Sequence, residues 1–419
     1  MPLAIPFAYM LVKPFKAIRP KTELASKVSS LPYDVYSEDE ARAIVASNPD
    51  SFLKIVRPET TFPLGTDHSS EMVYKRAKDL IDEDLQRGIL EEDKEESYYI
   101  YRQIMNGRTQ TGIVACFSVD DYNRGSIKKH ELTLASKEDD RTKHIDITSA
   151  NTGLVFLAFN GGTDIRDLLA SYTSAEPLYD FVSIDNVRQI VWKISDHDDV
   201  LKIKNVFAQV DSMYIADGHH RSASAAAVCK KRRDGNKEYT GTEEFNYFMA
   251  VAFPYEDLLV MPYYRVVRDL NGLTSEEFIG ELGKSFIIEK KDLATYEPKC
   301  QGEIALYLDD IWYKLTAKPD ILRHDAIGSL DVSMLQDNIL GPILGINDPR
   351  TDERIDFIGG IRGIGELEKR CHEDMRAAFA MHHTTVEQLM RIADEGKIMP
   401  PKSTWFEPKL QSGLFIHKI

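Results

Sequence analysis

The 419-residue chain has no apolar run approaching the roughly 20 residues a membrane-spanning helix requires, which excludes a helical membrane anchor. Its four cysteines, Cys116, Cys229, Cys300 and Cys371, lie far apart and never as CxxC, so neither a disulfide framework nor a zinc site is expected and a reducing cytoplasm fits best. An excess of basic residues is missing too. The formal charge of -15 argues against general affinity for nucleic acid or an anionic membrane, although a local basic pocket can still hold a small anion. There is no GxxxxGKS or GxxxxGKT phosphate loop, no HExxH zinc helix, no GxSxG elbow and no clear GxGxxG after the first strand, so familiar nucleotide and hydrolase folds lack support. No basic residues precede the apolar start MPLAIPFAYMLVKPFK, and Pro2, Pro6 and Pro14 interrupt it; it reads as an entering strand rather than a signal peptide.

What is present is a core-forming composition, 43% apolar, over a length that suits two or three domains. Helical and strand periods alternate without repeats, which predicts an α/β protein (α+β, with a mixed sheet) in three regions: 1–110, 111–270 and 271–419. Ser37 to Glu40 form a capping box ahead of Ala41 to Val45, and an amphipathic helix is predicted from about Ser70 to Arg87. Tyr98 to Ile104 and Gly112 to Val119 read as strands joined through Asn106-Gly107, a dipeptide suited to a hairpin. The charged run Glu91 to Glu96 reads as a solvated connection. Phe245 to Phe253 and Leu258 to Pro262 are predicted strands of a sheet beside the central helix described next, and Thr274 to Lys284 is a predicted helix.

The segment YIADGHHRSASAAAV, Tyr214 to Val228, joins a short strand, a polar turn and an Ala-rich helix in the order that phosphate sites use. Gly218 permits a tight turn, and Ser222 reads as the N-cap of a helix reaching about Arg233. A helix N-terminus carries partial positive charge and four amides without helical acceptors, so His219, His220 and Arg221 placed there strengthen an anion site. The competing reading is a capped helix with surface histidines.

A second polar cluster, KKHELTLASKEDDRTKH from Lys128 to His144, gathers His130, Glu131, Thr133, Lys137, Glu138, Asp140 and Arg141 ahead of the apolar TSANTGLVFLAF. A carboxylate beside a histidine can act as general base or hold Mg²⁺, and Lys or Arg can neutralise a transferred phosphate; a solvated helix face has the same composition. Near the end, MPPKSTWFEPKLQSGLF sets Lys402, Ser403, Thr404 and Lys409 on a proline-stiffened arm. That arm either offers cations to a ligand or fills a groove with Trp405 and Phe406. IGGIRGIG, Ile358 to Gly365, reads as a turn rather than a dinucleotide cradle.

Taken together, PFKAIRP, PYDV, LKIVRPE at Leu53 to Glu59, HELTLASKEDDR, DGHHR, LGI near Leu344 and MPPKSTWFEPKLQSGL resemble, over nearly the whole chain, the bacterial and archaeal family called domain of unknown function 1015. The DGHHR element is similar to the GxHR-type phosphate loop of the ParB and sulfiredoxin superfamily, which includes ParB nucleotidases, sulfiredoxin and free-serine kinases. This resemblance implies a ParB/sulfiredoxin-like core with additional N- and C-terminal α/β elements. It also implies a cytoplasmic phosphotransferase, most sharply a free L-serine kinase forming O-phospho-L-serine from ATP, ADP or pyrophosphate with Mg²⁺. In that mechanism Asp217 orients the loop or binds Mg²⁺, and Gly218, His219, His220, Arg221 and Ser222 hold donor phosphates, His220 counting among the catalytic groups as well. Lys137 and Arg141 stabilise the transferred group, Glu131 is the preferred base with Asp34 its competitor, and Lys402 and Lys409 supply charge to a compact donor. Two other readings are a ParB-like nucleotide-binding regulator, disfavoured by acidity and the lack of a basic helix-turn-helix, and a non-catalytic anion-binding protein. Neither a nucleic-acid nor a membrane partner is expected.

Overall fold

The structure is a computed structural model that describes residues 9–292 and 294–419. The first eight residues of the expected entering strand lie outside these. The chain divides into two compact units, Met1–Leu258 with Pro408–Ile419, and Leu259–Glu407.

The first unit is built on a mixed sheet of β1 (Val12–Lys13), β2 (Tyr98–Met105), β3 (Arg108–Ser118), β4 (Ile127–Lys128), β5 (Val155–Phe159), β6 (Tyr179–Val182), β7 (Arg188–Ile194), β8 (Met213–Asp217) and β9 (Tyr247–Pro254). Their order is β4-β8-β5-β9-β3-β2-β7-β6, and β1 pairs with β3 off this path. The β4–β8 and β5–β9 pairs are parallel, and the other pairs of this sheet are antiparallel. β2 and β3 form the predicted hairpin, with Met105 opposite Arg108 and positive φ at Asn106 (50°) and Gly107 (79°), the pair of left-handed residues that matches strand twist. The boundary expected near residue 110 therefore falls inside β3, within one sheet.

Three helices matter for the site: α1 (Glu71–Gln86), α2 (Ala135–Thr148) and α3 (His219–Gly235). α2 and α3 lie side by side, tied where the Ser224 hydroxyl donates to the Glu138 carbonyl at 3.0 Å. Small residues on α3 permit that approach, and Ala225, Val228 and Cys229 join the buried core with Ile215, Leu157 and Phe159. Most of the run Glu91 to Glu96 is exposed, as expected of a solvated connection, but one residue of it is not. Asp93 is buried, ion-paired to Arg19 at 3.0 Å and Lys193 at 2.8 Å, and it accepts the Tyr99 hydroxyl. Two cations and a phenol compensate one carboxylate, which is why this charge tolerates burial.

The second unit holds an antiparallel sheet of β10 (Tyr263–Val267), β11 (Phe286–Lys291), β12 (Glu303–Leu308), β13 (Ile311–Ala317), β14 (Ile355–Gly359) and β15 (Ala377–Met381), in the order β11-β13-β12-β15-β10-β14. The strand expected across Leu258 to Pro262 is not part of the first sheet; Leu259–Met261 pairs with Trp405–Glu407 instead. Glycines of IGGIRGIG form the turn between β14 and a helix, Gly365–Glu373. Among the described residues no helix is long and apolar enough to cross a membrane.

Candidate functional site

β8 ends at Asp217, and Gly218 follows with φ 99° and ψ 29°, backbone that a side chain would strain. A Cβ at this glycine would stand 2.9 Å from Arg221 Nε. Helix α3 starts at once, and its first helical bond runs from the Ser222 amide to the Gly218 carbonyl at 3.0 Å. The amides of Gly218, His219, His220 and Arg221 thus precede any helical acceptor. Ser222 is not the N-cap that the sequence suggested. It lies one turn inside, fully buried, and its hydroxyl donates back to the His219 carbonyl at 3.1 Å. Gly218 takes the left-handed backbone that turns strand into helix, so the helix begins beside it, and the serine bonds back to its own helix and to the Tyr122 hydroxyl.

The Asp217 carboxylate stands between two cations, Lys409 Nζ at 3.4 Å and Arg221 Nη2 at 3.5 Å. Burial by itself would raise its pKa, but Lys409, Arg221 and His219 together hold it well below the usual carboxylate range. Arg221 is fixed further by donating Nη1–H to the Leu154 carbonyl, with Gly153 alongside, where a Cβ would lie in van der Waals contact 3.4 Å from Arg221 Cδ.

The histidines are held from the α2 side. His219 is buried and its Nε2 accepts the His130 amide at 3.4 Å, so the neutral ring carries its proton on Nδ1, which faces Glu131 Oε2 at 3.7 Å. Burial and the neighbouring His130 push His219 well below its ordinary pKa, keeping it neutral. His130 packs edge-on at 4.5 Å between ring centres, and burial pushes it down to about 4. His220 accepts the Leu134 amide at 3.1 Å through Nε2. Its pKa is lowered by burial and then by the Lys137 charge, against Asp34 and Glu138, so Asp34 and Lys137 both lie close enough to act on it. Asp34 is exposed. Glu131, 43% exposed, is the carboxylate that reaches the histidine pair directly.

Arg141 is committed to Asp140 at 2.6 Å and to the Val56 carbonyl at 3.3 Å, with its guanidinium 4.4 Å from the centre of the Tyr33 ring. Arg141 and Arg221 line a cavity of about 30 Å³ with Tyr33, Asn151, Thr152 and Gly153. That space suits a water or two rather than a nucleotide. Lys402 belongs to the second unit, where its Nζ lies over the Tyr263 ring at 5.5 Å. Among the described residues no three His, Cys, Asp or Glu side chains converge as metal ligands, and Asp217 offers one carboxylate already faced by two cations. These residues therefore build no Mg²⁺ cage of their own. Sequence reasoning missed Tyr33, Gly153 and the Leu154 carbonyl. The signal was the Asn151-Thr152-Gly153 break ahead of an apolar strand, small polar residues where backbone comes close to another chain segment.

Among solved structures, a free serine kinase variant in complex with ADP is similar at 16% identity and TM-score 0.36, over 72% of this chain and 92% of that one. A conserved hypothetical protein from Pyrococcus furiosus aligns at 16% identity and TM-score 0.33, over 72% and 95%. SbnI with a C-terminal truncation, from Staphylococcus aureus, aligns at 10% identity and TM-score 0.39, over 73% and 87%. No curated protein matches. The sequence profile of the family described as "Protein of unknown function (DUF1015)" matches residues 12–333, most of the chain, and the protein belongs to that family.

Proposed function

We propose that the protein is a small-molecule phosphotransferase, most sharply a free L-serine kinase that forms O-phospho-L-serine. The observation that carries this reading is the Asp217-Gly218 turn, which delivers free helix amides and Arg221 to one point, with Lys409 beside them and Glu131 on the neighbouring segment. Donor phosphates, from ATP, ADP or pyrophosphate, would lie against the amides of residues 218–221 and the Arg221 and Lys409 cations. Asp217 holds both cations in place. The serine hydroxyl gives its proton to Glu131 as its oxygen bonds to the terminal phosphorus, and the bond from that phosphorus to the donor's leaving oxygen breaks. His219 acts on Glu131 through Nδ1–H and stays uncharged, so it orients the base without competing for the proton. His220 stands next to Arg221 on the helix, with the Lys137 charge close enough to act on it.

Incubating the full chain with L-serine, Mg²⁺ and each donor in turn, with phosphoserine read by mass spectrometry, tests the reading. Phosphoserine from at least one donor is expected, with Glu131→Gln lowering turnover more than donor affinity. Arg221→Ala should weaken donor binding by roughly 1.5 to 3 kcal/mol, the worth of a charge-assisted hydrogen bond. No phosphoserine with any donor would overturn the activity, and unchanged donor affinity in Arg221→Ala would move the donor site elsewhere.

A further inference from the structure

The second unit contains a buried cation of a different kind. Arg265, in the middle of β10, is 4% exposed. Its Nη1 donates to the Tyr263 carbonyl at 2.5 Å and its Nη2 to the Pro401 carbonyl at 3.2 Å, while its guanidinium lies 4.8 Å from the Phe357 ring centre. A guanidinium has five N–H donors, so these two carbonyls leave most of them to be met. No carboxylate of the described residues pairs with it. The other buried cations differ in that respect: Lys54 meets Asp84 at 2.9 Å and Arg19 meets Asp93 at 3.0 Å. Burial, with little opposing charge, pushes Arg265 down to about 9. A buried charge without a partner is among the most expensive features a fold can keep.

Arg265 also lines a cavity of about 290 Å³, near the lower end of the roughly 300–1,000 Å³ typical of small-molecule sites. Leu340, Pro400 and Pro401 supply apolar wall, Gln336 and Asn347 supply amides, and Asp348, neutralised by Arg350 at 2.9 Å, borders it with that arginine. The segment Gln336–Leu340 is a π-helical turn, a widened and less stable turn that recurs at functional sites. The cavity, the uncompensated guanidinium and the widened turn are independent observations that converge on one place.

We infer that this cavity binds a small anionic molecule, whose carboxylate or phosphate oxygens pair with Arg265 while its apolar part lies along Leu340 and the two prolines. Such a ligand supplies the missing counter-charge and accepts the unserved donors. The site is separate in residues and chemistry from the Asp217 turn.

Calorimetric titration of the full chain with inorganic phosphate and with succinate tests it, using wild type, Arg265→Met, Asn347→Trp and Arg221→Ala. Asn347 is exposed at the cavity, so a tryptophan there blocks it without touching the core and keeps the test valid if Arg265→Met folds poorly. At least one anion should bind wild type, with affinity falling roughly tenfold or more in Arg265→Met and Asn347→Trp and holding in Arg221→Ala. Binding by phosphate alone assigns a phosphate ligand, and binding by succinate alone assigns a carboxylate. The inference is overturned if neither anion binds, or if every binding event of wild type survives in both cavity variants; phosphate held at the Asp217 turn is told apart by its loss in Arg221→Ala. Binding lost only in Arg221→Ala would also overturn it, because that anion would belong to the first unit's turn, whose fate the phosphoserine assay decides separately.

Discussion

Arg221 and Arg265 both border cavities, yet they live in opposite electrostatic settings. Arg221 has Asp217 at 3.5 Å and the Leu154 carbonyl behind it, so its guanidinium is aimed and partly neutralised before any ligand arrives. Arg265 has two carbonyls, an aromatic face and no acid. A cation paired with a protein carboxylate is stable when the site is empty and is preorganised for a transient partner. A buried cation without one makes the stability of its surroundings depend on what occupies the cavity. On the proposed readings, one residue type serves positioning in one unit and ligand-linked stability in the other.

The largest expected effect that sharpens this comparison is a pair of opposite pH dependences. In the first unit burial pushes His130 and His144 down to about 4, whereas unfolded histidine titrates near 6.5. Below pH 6.5 the unfolded chain takes up protons that the folded unit refuses. Its stability is complete above that pH and falls toward pH 4, by on the order of 3 kcal/mol for each histidine. In the second unit burial pushes Asp331 up to about 7, although the Gly302 amide donates to it at 2.9 Å. Between roughly pH 4 and 7 the folded unit keeps a proton that the unfolded chain has released. Stability is therefore complete below that window and falls as pH rises through it, by on the order of 4 kcal/mol. Amide exchange in β3 and in β12, followed from pH 4 to 7 and corrected for intrinsic rates, should give slopes of opposite sign. Asp331→Asn should abolish the second slope, and slopes of one sign would break the contrast.

A smaller effect separates the turns. Gly218→Ala should destabilise the first unit by roughly 1 to 2 kcal/mol, the cost of a side chain in left-handed backbone, and more if Arg221 must move. Gly280→Ala, exposed in the helix Ser275–Ser285 with nothing within 4 Å of the new Cβ, should stabilise the second unit by roughly 0.5 to 1 kcal/mol. Denaturant melts of the two variants check both signs.

The smallest test contrasts a true cap with an apparent one. Thr274 accepts the Glu277 amide in a reciprocal capping box, and Thr274→Ala should cost about 1 kcal/mol. Ser222→Ala in a Tyr122→Phe background should change stability by less than about 0.5 kcal/mol, since apart from its bond to the Tyr122 hydroxyl the serine only returns to a helix carbonyl. A loss near 1 kcal/mol at Ser222 would restore it to a capping role.

The capping boxes at Ser37 and Thr274, the Asn106-Gly107 hairpin and the strand-turn-helix at Asp217 to His219 were all legible in the sequence, because each is decided within a few residues by backbone sterics and local hydrogen bonds. So was the family, whose motifs are contiguous. The burial of Asp93, the transfer of Leu259–Met261 to another sheet and the approach of Gly153 to Arg221 were not. Only the tertiary structure brings Lys409 to Asp217 across 192 positions and Glu131 to His219, and only it leaves Arg265 buried without an acid. Local periodicity says which face of an element is apolar; which charges then meet depends on strand order and on burial, and those are settled by the packing of the whole sheet.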